Sequence, residues 1–398
     1  MKKIALLSLI GLLWIPGLFS QSCVDDVWMS LRNKQIPKAK KIIDECAIAN
    51  PDNANVILMK GNVYLQRYQQ EQDNLKKNPA YVVKDPEAIL IANECFYKAL
   101  ELNPKVEPKT GMLGPRDGQI LAADPIYYMG QDALEKKEYD KAFDYLTIAA
   151  RNFKLDNRNP NLPLNLGLIY LQLSDIAGIK KDQDLQKRML MEGVRANTPI
   201  PNVYLSLYDI YKKENDTVKA GEILKTAHRF VPDSLTTDIY GYELDYYAMV
   251  GDMDKLNTTS ETLLQKFGDS PAILAMIAGY LNNSGQYEKA EGYIQKGLEK
   301  EPNNFDLNQQ MAYRYFYEGL KYQDMIDAAM TARKYDEVKD LQAKEKEILE
   351  NAHTWSEKAY ELNKEDRQNN IMLRQLKVKL LKEVPEELKT KVDSYYNN

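Results

Sequence analysis

Histidine is nearly absent: the 398 residues contain two, His228 and His353. Such a chain is poorly equipped for a multi-imidazole metal centre or a long proton relay. Cysteine is almost as rare. Cys23, Cys46 and Cys95 allow one internal disulfide at most, with one thiol left over. Tryptophan occurs three times and phenylalanine eight times, which leaves few flat rings for stacking sugars. Beyond the first twenty residues, no apolar run approaches the roughly 18 residues of a membrane-spanning helix. Neither sign of charge dominates. Lysine and arginine total 53 against 58 acids, a formal −5, without the basic footprint of a nucleic-acid binder or of a protein held on an anionic membrane.

The usual catalytic strings are missing too. No H-E-x-x-H, G-x-S-x-G or G-x-G-x-x-G occurs. Gly292 and Gly297 have the spacing of a phosphate loop, but Leu298 stands where a lysine would reach the phosphates. Asp252-Met253-Asp254 opens like a calcium loop, yet Leu256 takes the place of an oxygen ligand. Carboxylates three or four apart, as in residues 288–301, lie among lysines at helical spacing. That pattern reads as a solvated face rather than a glycosidase acid–base pair. The expectation is a non-enzyme with no catalytic residues, no cofactor, no metal and no nucleic-acid partner.

What is plentiful is tyrosine, with 27 residues. The N-terminus is also distinctive. Lys2 and Lys3 precede an apolar run over residues 4–19 that contains the helix breakers Pro16 and Gly17 and gives way to small polar residues. This reads as a secretory signal peptide, residues 1–22, cleaved after Ser20 or after Ser22. Cys23 follows at once. Bacterial lipoprotein signals carry an aliphatic residue three positions before the lipidated cysteine, and Ser20 stands there. A lipid on Cys23 is thus an open alternative, and otherwise any membrane contact is indirect. The expected location is periplasmic or outer-membrane associated, or secreted, where disulfides can form.

The rest of the chain is organised by a repeat. In residues 282–304, Gly285, Tyr287, Ala290, Gly297 and Pro302 mark a helix, a turn, a second helix and a stop. Related frames recur: Tyr204, Leu207, Tyr211, Ala220, Ala227 and Pro232; Gly130, Tyr139, Ala142 and Ala149; Gly61, Tyr64, Phe96, Ala99 and Pro104. Ala39 with Pro51, Leu166 with Gly167 and Tyr170, Tyr240 with Tyr247 and Gly251, and Ala312 with Tyr315 and Gly319 add further units. Small residues let two helices approach, large ones fill the gaps, and proline ends the second helix. With a period of about 34 residues, the chain resembles the tetratricopeptide repeat (TPR) family. The signal sequence and the tyrosine- and asparagine-rich style resemble TPR proteins of Bacteroidetes-type bacteria.

The resemblance implies an all-α, right-handed α-solenoid of about eight TPR-like helix pairs over residues 23–365, with a C-terminal helical cap over 366–398. Three stretches break the period: residues 67–85; residues 105–123, rich in glycine and proline and expected as an ordered loop or lid; and residues 320–350, expected as one long charged helix. In the repeat frame the first hairpin turns near Gln35 and Ile36, twelve residues after Cys23 and eleven before Cys46. Antiparallel helices would bring the two cysteines level for a disulfide. The other reading leaves Cys46 a small buried thiol and Cys23 mobile.

In TPR proteins the first helix of each pair lines a concave groove that usually grips an extended peptide. Counting in frame places Asn62, Tyr127, Tyr128, Gln131, Asp209, Tyr242, Asp245, Asn282, Gln309, Tyr313 and Tyr317 on that face. Tyr64, Tyr170, Tyr204, Tyr211, Tyr247 and Tyr315 fall instead at helix-packing positions. The implied function is a protein- or peptide-binding scaffold or assembly factor of the bacterial envelope. Binding of a surface glycan on the same scaffold is the alternative.

Overall fold

The computed structural model describes residues 16–395. The basic start and most of the apolar run of the expected signal peptide lie outside the described residues. Within them the chain is all-α, with eighteen α-helices arranged as nine consecutive pairs. It divides into two compact units after Val203. The first holds α1 (Pro16–Arg32) with α2 (Ile36–Ala49), α3 (Ala54–Lys77) with α4 (Ala88–Leu102), α5 (Pro115–Glu135) with α6 (Tyr139–Phe153), and α7 (Leu162–Ile179) with α8 (Gln183–Arg195). Helix α9 (Pro201–Lys213) spans the division and pairs in sequence with α10 (Thr217–Phe230). The second unit continues with α11 (Thr237–Val250) and α12 (Met253–Phe267), α13 (Pro271–Asn283) and α14 (Tyr287–Lys300), α15 (Phe305–Thr331) and α16 (Tyr335–Leu362), and α17 (Arg367–Lys379) and α18 (Glu386–Ser394). Within each unit the pairs stack as TPR-like solenoid repeats.

The turns inside eight of the nine pairs share one device. A single residue in the left-handed region ends the first helix: Lys34, Lys137, Lys181, Asn215, Gly251, Gly285, Arg333 and Leu381. In three pairs an aspartate follows and caps the next helix, where its carboxylate accepts a backbone N–H: Asp182 from Leu185, Asp216 from Lys219 and Asp252 from Lys255. The apparent calcium-loop start at Asp252 is therefore a helix cap. Second helices stop just before Pro51, Pro104, Pro232 and Pro302, because the residue ahead of a proline avoids helical geometry.

The small positions of the repeat are where helices meet. Ala39, Ala99, Ala142, Ala149, Ala220, Ala227, Ala290 and Ala359 have no exposed surface. Phe96 of α4 is fully buried between α3 and α5, against Gly61 and Gly118. A methyl group on Gly61 would sit 2.8 Å from that ring, so glycine is needed there for space. Asn93, Asn152 and Tyr97 link α4 to α6 through a buried chain, with Tyr97 donating to Asn152 at 2.9 Å and Asn152 donating to Asn93 at 2.8 Å. Burial without such partners would cost each amide a few kcal/mol.

Two irregular stretches differ from the sequence reading. Residues 320–350 are not one helix. Thr331 ends α15, Arg333 adopts φ 58°, and α16 starts at Tyr335. The insertion lengthens both helices of one pair into a hairpin. Ile326 and Ala329 pack there against Val338 and Leu341, a four-residue core that two helices can form and one cannot. Of residues 105–123, only the part before Pro115 is loop, and the remainder is the first turns of α5. The C-terminal helical cap consists of two helices, α17 and α18. In the 67–85 stretch, α3 runs on to Lys77, and the buried Glu71 carboxylate accepts the Lys84 N–H at 3.0 Å, which holds the return segment.

Cys23 and Cys46 are joined as a disulfide, and Cys95 is free and buried. Burial pushes the Cys95 thiol up to about 11, so it is unreactive at neutral pH. A sulfur held in a disulfide cannot also carry a thioether lipid. The bridge and a lipid anchor at Cys23 therefore exclude one another.

Candidate functional site

First helices also pack on one another, α1 on α3 and α3 on α5 in the first unit, α11 on α13 and α13 on α15 in the second. Their outward sides form one face per unit, and the residues expected on that face are tied together across it. In the first unit Gln131 of α5 and Gln172 of α7 exchange amide hydrogen bonds at 2.7 and 3.2 Å. In the second, Tyr208 of α9 donates to Asp245 of α11 at 2.6 Å, and Lys212 pairs with the same carboxylate. Tyr242 of α11 donates to Asp209 of α9 at 3.3 Å, and the Tyr208 and Tyr242 rings meet edge to face at 5.2 Å. Farther along, Asn282 of α13 donates to the Gln310 carbonyl at 2.9 Å, Gln309 of α15 to Asp366 at 2.7 Å, and Tyr313 of α15 to Gln368 of α17 at 3.3 Å. Polar rungs thus join α5 to α7, α9 to α11, α13 to α15 and α15 to α17.

The rungs divide the expected residues by role. Asn62, Asn282 and Gln309 are buried, each bonded to a neighbouring segment. Asp209, Asp245, Gln131, Tyr242 and Tyr313 are partly exposed, with their polar tips engaged on a neighbouring helix. Tyr317 stacks on Tyr313 with ring centroids 5.7 Å apart. Tyr128 is the open ring at 67% exposed, and the half-buried Tyr127 meets it edge to face at 5.6 Å. The packing tyrosines behave differently. Tyr64, Tyr170, Tyr204 and Tyr211 are buried, while Tyr247 and Tyr315 are partly so.

The electrostatics of the face are those of neutral phenols beside carboxylates. Burial and the nearby Asp209 raise the Tyr242 phenol above its ordinary value. Burial and Asp245 raise Tyr208, and burial with the same aspartates nearby pushes Tyr280 up to about 12. At neutral pH these phenols keep their protons and serve as hydrogen-bond donors. Neither histidine joins them. His228 lies 3.2 Å from Glu243 and beside the Tyr240 ring, and His353 is buried between α16 and α17. Among the described residues, no group of three His, Cys, Asp or Glu side chains could hold a metal ion.

Three participants were not legible in the repeat frame. Tyr208 and Tyr280 sit one residue away from a counted position or outside the count. The third is the loop before α5, which lies on the first-helix face of α1 and α3. Asn62 Nδ2 donates to the Leu113 carbonyl at 3.0 Å and Asn62 Oδ1 accepts from the Leu113 N–H at 2.8 Å. Trp28 of α1 donates to the Thr110 carbonyl at 3.0 Å, and Lys109 pairs with Asp25 at 2.7 Å. Only the glycine and proline content of residues 105–123 hinted at an element of this kind.

No family model and no curated protein matches the chain. Solved structures that align with it include a tetratricopeptide repeat protein from Parabacteroides merdae, at 16% identity over 64% of this chain and 98% of that one, with a TM-score of 0.40. Yeast Tom70 aligns at 14% identity over 95% of both chains, with a TM-score of 0.36. PilF of Pseudomonas aeruginosa aligns at 15% identity over 63% of this chain and 93% of that one, with a TM-score of 0.28.

Proposed function

We propose that this protein is a non-enzymatic scaffold that binds another protein, or an extended peptide of it, on its first-helix faces. The observation that carries this reading is the set of rungs. Phenols, amides and carboxylates are held in place by bonds between neighbouring helices, so the face is ordered before a ligand arrives and little rotamer entropy remains to be lost. Tyrosine suits such a surface because it offers apolar area on a stiff side chain with a polar tip. The Cys23–Cys46 bridge and the signal-like start favour export, with the mature chain acting in the cell envelope.

Photo-crosslinking residues placed at Tyr128 and Tyr313, and as controls at Ile48 of α2 and Val218 of α10, test the assignment in cells. Ile48 and Val218 are 81% and 67% exposed. One discrete adduct from the tyrosine positions and none from the controls is expected. Equal labelling from all four positions would reject the face. The open Tyr128 ring is also a surface on which a sugar could stack, and a glycan array run with the same protein separates that reading from protein binding.

A further inference from the structure

We propose that the α1 and α3 part of the first unit's face is a peptide-recognition site, and that the chain's own segment Lys109–Leu113 occupies it as an internal ligand that a partner must displace. The proposal rests on the first-helix face being a peptide-reading surface, and it names both the ligand class and the means of control.

The seat reads a segment at three points. Asp25 takes a lysine side chain at 2.7 Å, Trp28 Nε1 takes the next residue's carbonyl at 3.0 Å, and the Asn62 amide holds the backbone N–H and carbonyl of Leu113 together. A side-chain amide paired with a backbone amide selects no side chain, so it would hold any segment of the same shape. Lysine and the apolar Met112 and Leu113 supply the selectivity, and Met112 sulfur lies 3.9 Å from Gln66. The shape is a turn. The Met112 N–H donates to the Lys109 carbonyl at 2.9 Å, with Gly111 at φ 81°. The ligand class is therefore a peptide carrying a lysine-x-glycine turn followed by two apolar residues.

The segment is anchored at its apolar end, where Met112 and Leu113 pack on the buried core, and is open at its turn. Between Val106 and Pro115 no residue is fully buried, and Thr110 and Gly111 are exposed. A cleft of about 280 Å³ adjoins it, lined in part by Val24, Leu58, Met59, Asn62, Lys109 and Met112.

The test uses a fluorescent peptide of residues 105–114 and two full-length proteins, the natural chain and one with residues 105–113 replaced by a Gly/Ser linker of equal length. The linker protein should bind the peptide at least about tenfold more tightly, because the tethered segment competes at an effective concentration near millimolar. Asn62→Ala in the linker protein should weaken binding about tenfold. No binding by a fully helical linker protein, equal binding by the natural chain, or no effect of Asn62→Ala would overturn the proposal. Should the linker protein fail to fold, K109E in the natural chain sets a carboxylate against Asp25 and unseats the segment. The same titration then decides, and no gain in binding overturns the proposal. Failure here with face-specific crosslinks at Tyr128 and Tyr313 intact would leave the scaffold reading standing. Loss of those crosslinks with peptide binding retained would do the reverse.

Discussion

At the residue scale, the turns and one buried imidazole carry the sharpest expectations. Gly285 has φ 76° and open space around it, so a side chain there would meet no neighbour, only backbone strain. Gly285→Ala should lower stability by about 1 kcal/mol, read from denaturant midpoints at unchanged slope. His353 is buried, with Lys382 3.3 Å from Nδ1 and Glu357 3.4 Å from Nε2, and with Glu350 and Lys377 also facing it. Burial, assisted by the two lysines against the pull of Glu357, holds its pKa below the ordinary histidine value. The folded state therefore binds its proton less readily than the unfolded state does. Stability should be full above about pH 6.5 and should fall as pH drops through the folded pKa. The melting temperature of the natural chain should fall between pH 7 and pH 5, before most carboxylates titrate. His353→Gln should flatten that part of the profile, and an unchanged profile would remove His353 as its cause.

At the element scale, the first pair is held by a covalent staple. The Cys23–Cys46 bridge closes a loop of 23 residues, for which chain entropy predicts about 3 kcal/mol. Helix α1 also carries Asp25 and Trp28, so the staple supports the seat of the Lys109–Leu113 segment. Cys23→Ser should lower the free energy of opening α1 and α2 by about that amount, measured by amide hydrogen exchange. Amides of α13 and α14, in the other unit, should keep their protection, and uniform loss across the chain would contradict a local staple. The α15–α16 hairpin makes a different point. Its residues read as a single helix because Glu and Lys at mixed three- and four-residue spacings run through residues 337–350 and neither proline nor glycine marks a turn. The break comes from Arg333 in a left-handed conformation, which no propensity scale assigns to arginine.

At the scale of the whole molecule, the tyrosine excess becomes a property of the fold. Phenols are raised by burial along the chain, among them Tyr64, Tyr97, Tyr242, Tyr247 and Tyr315, and Tyr204 is pushed up to about 12. Each keeps its proton in the folded state above pH 10, where the unfolded chain would lose it. Their stabilisation is therefore present below pH 10 and is lost as pH rises through the folded values. Phenolate absorbance should rise late and together with loss of helical circular dichroism. A gradual phenolate rise near pH 10 with helicity retained would show the rings to be solvated.

The sequence by itself determined the class of fold, the paired helices, the small residues at their contacts and the prolines that end them. These are local or periodic properties, set by backbone sterics and by the need to bury one face of each helix, and they leave a mark at fixed spacing. Of the tyrosines at packing positions in the repeat, Tyr64, Tyr170, Tyr204 and Tyr211 are buried, while Tyr247 and Tyr315 are only partly so, as are Tyr242 and Tyr313 of the face. Tertiary structure alone decided which face residues are open. Asn62, Asn282 and Gln309 stand at outward positions in the repeat frame, yet each is buried by a bond to a segment 28 to 57 residues away. Hydrogen-bond partners at such separations follow no period. The loop laid across α1 and α3 is the fullest case: what it touches depends on where α4 ends and α5 begins in space, and no spacing in the chain records that.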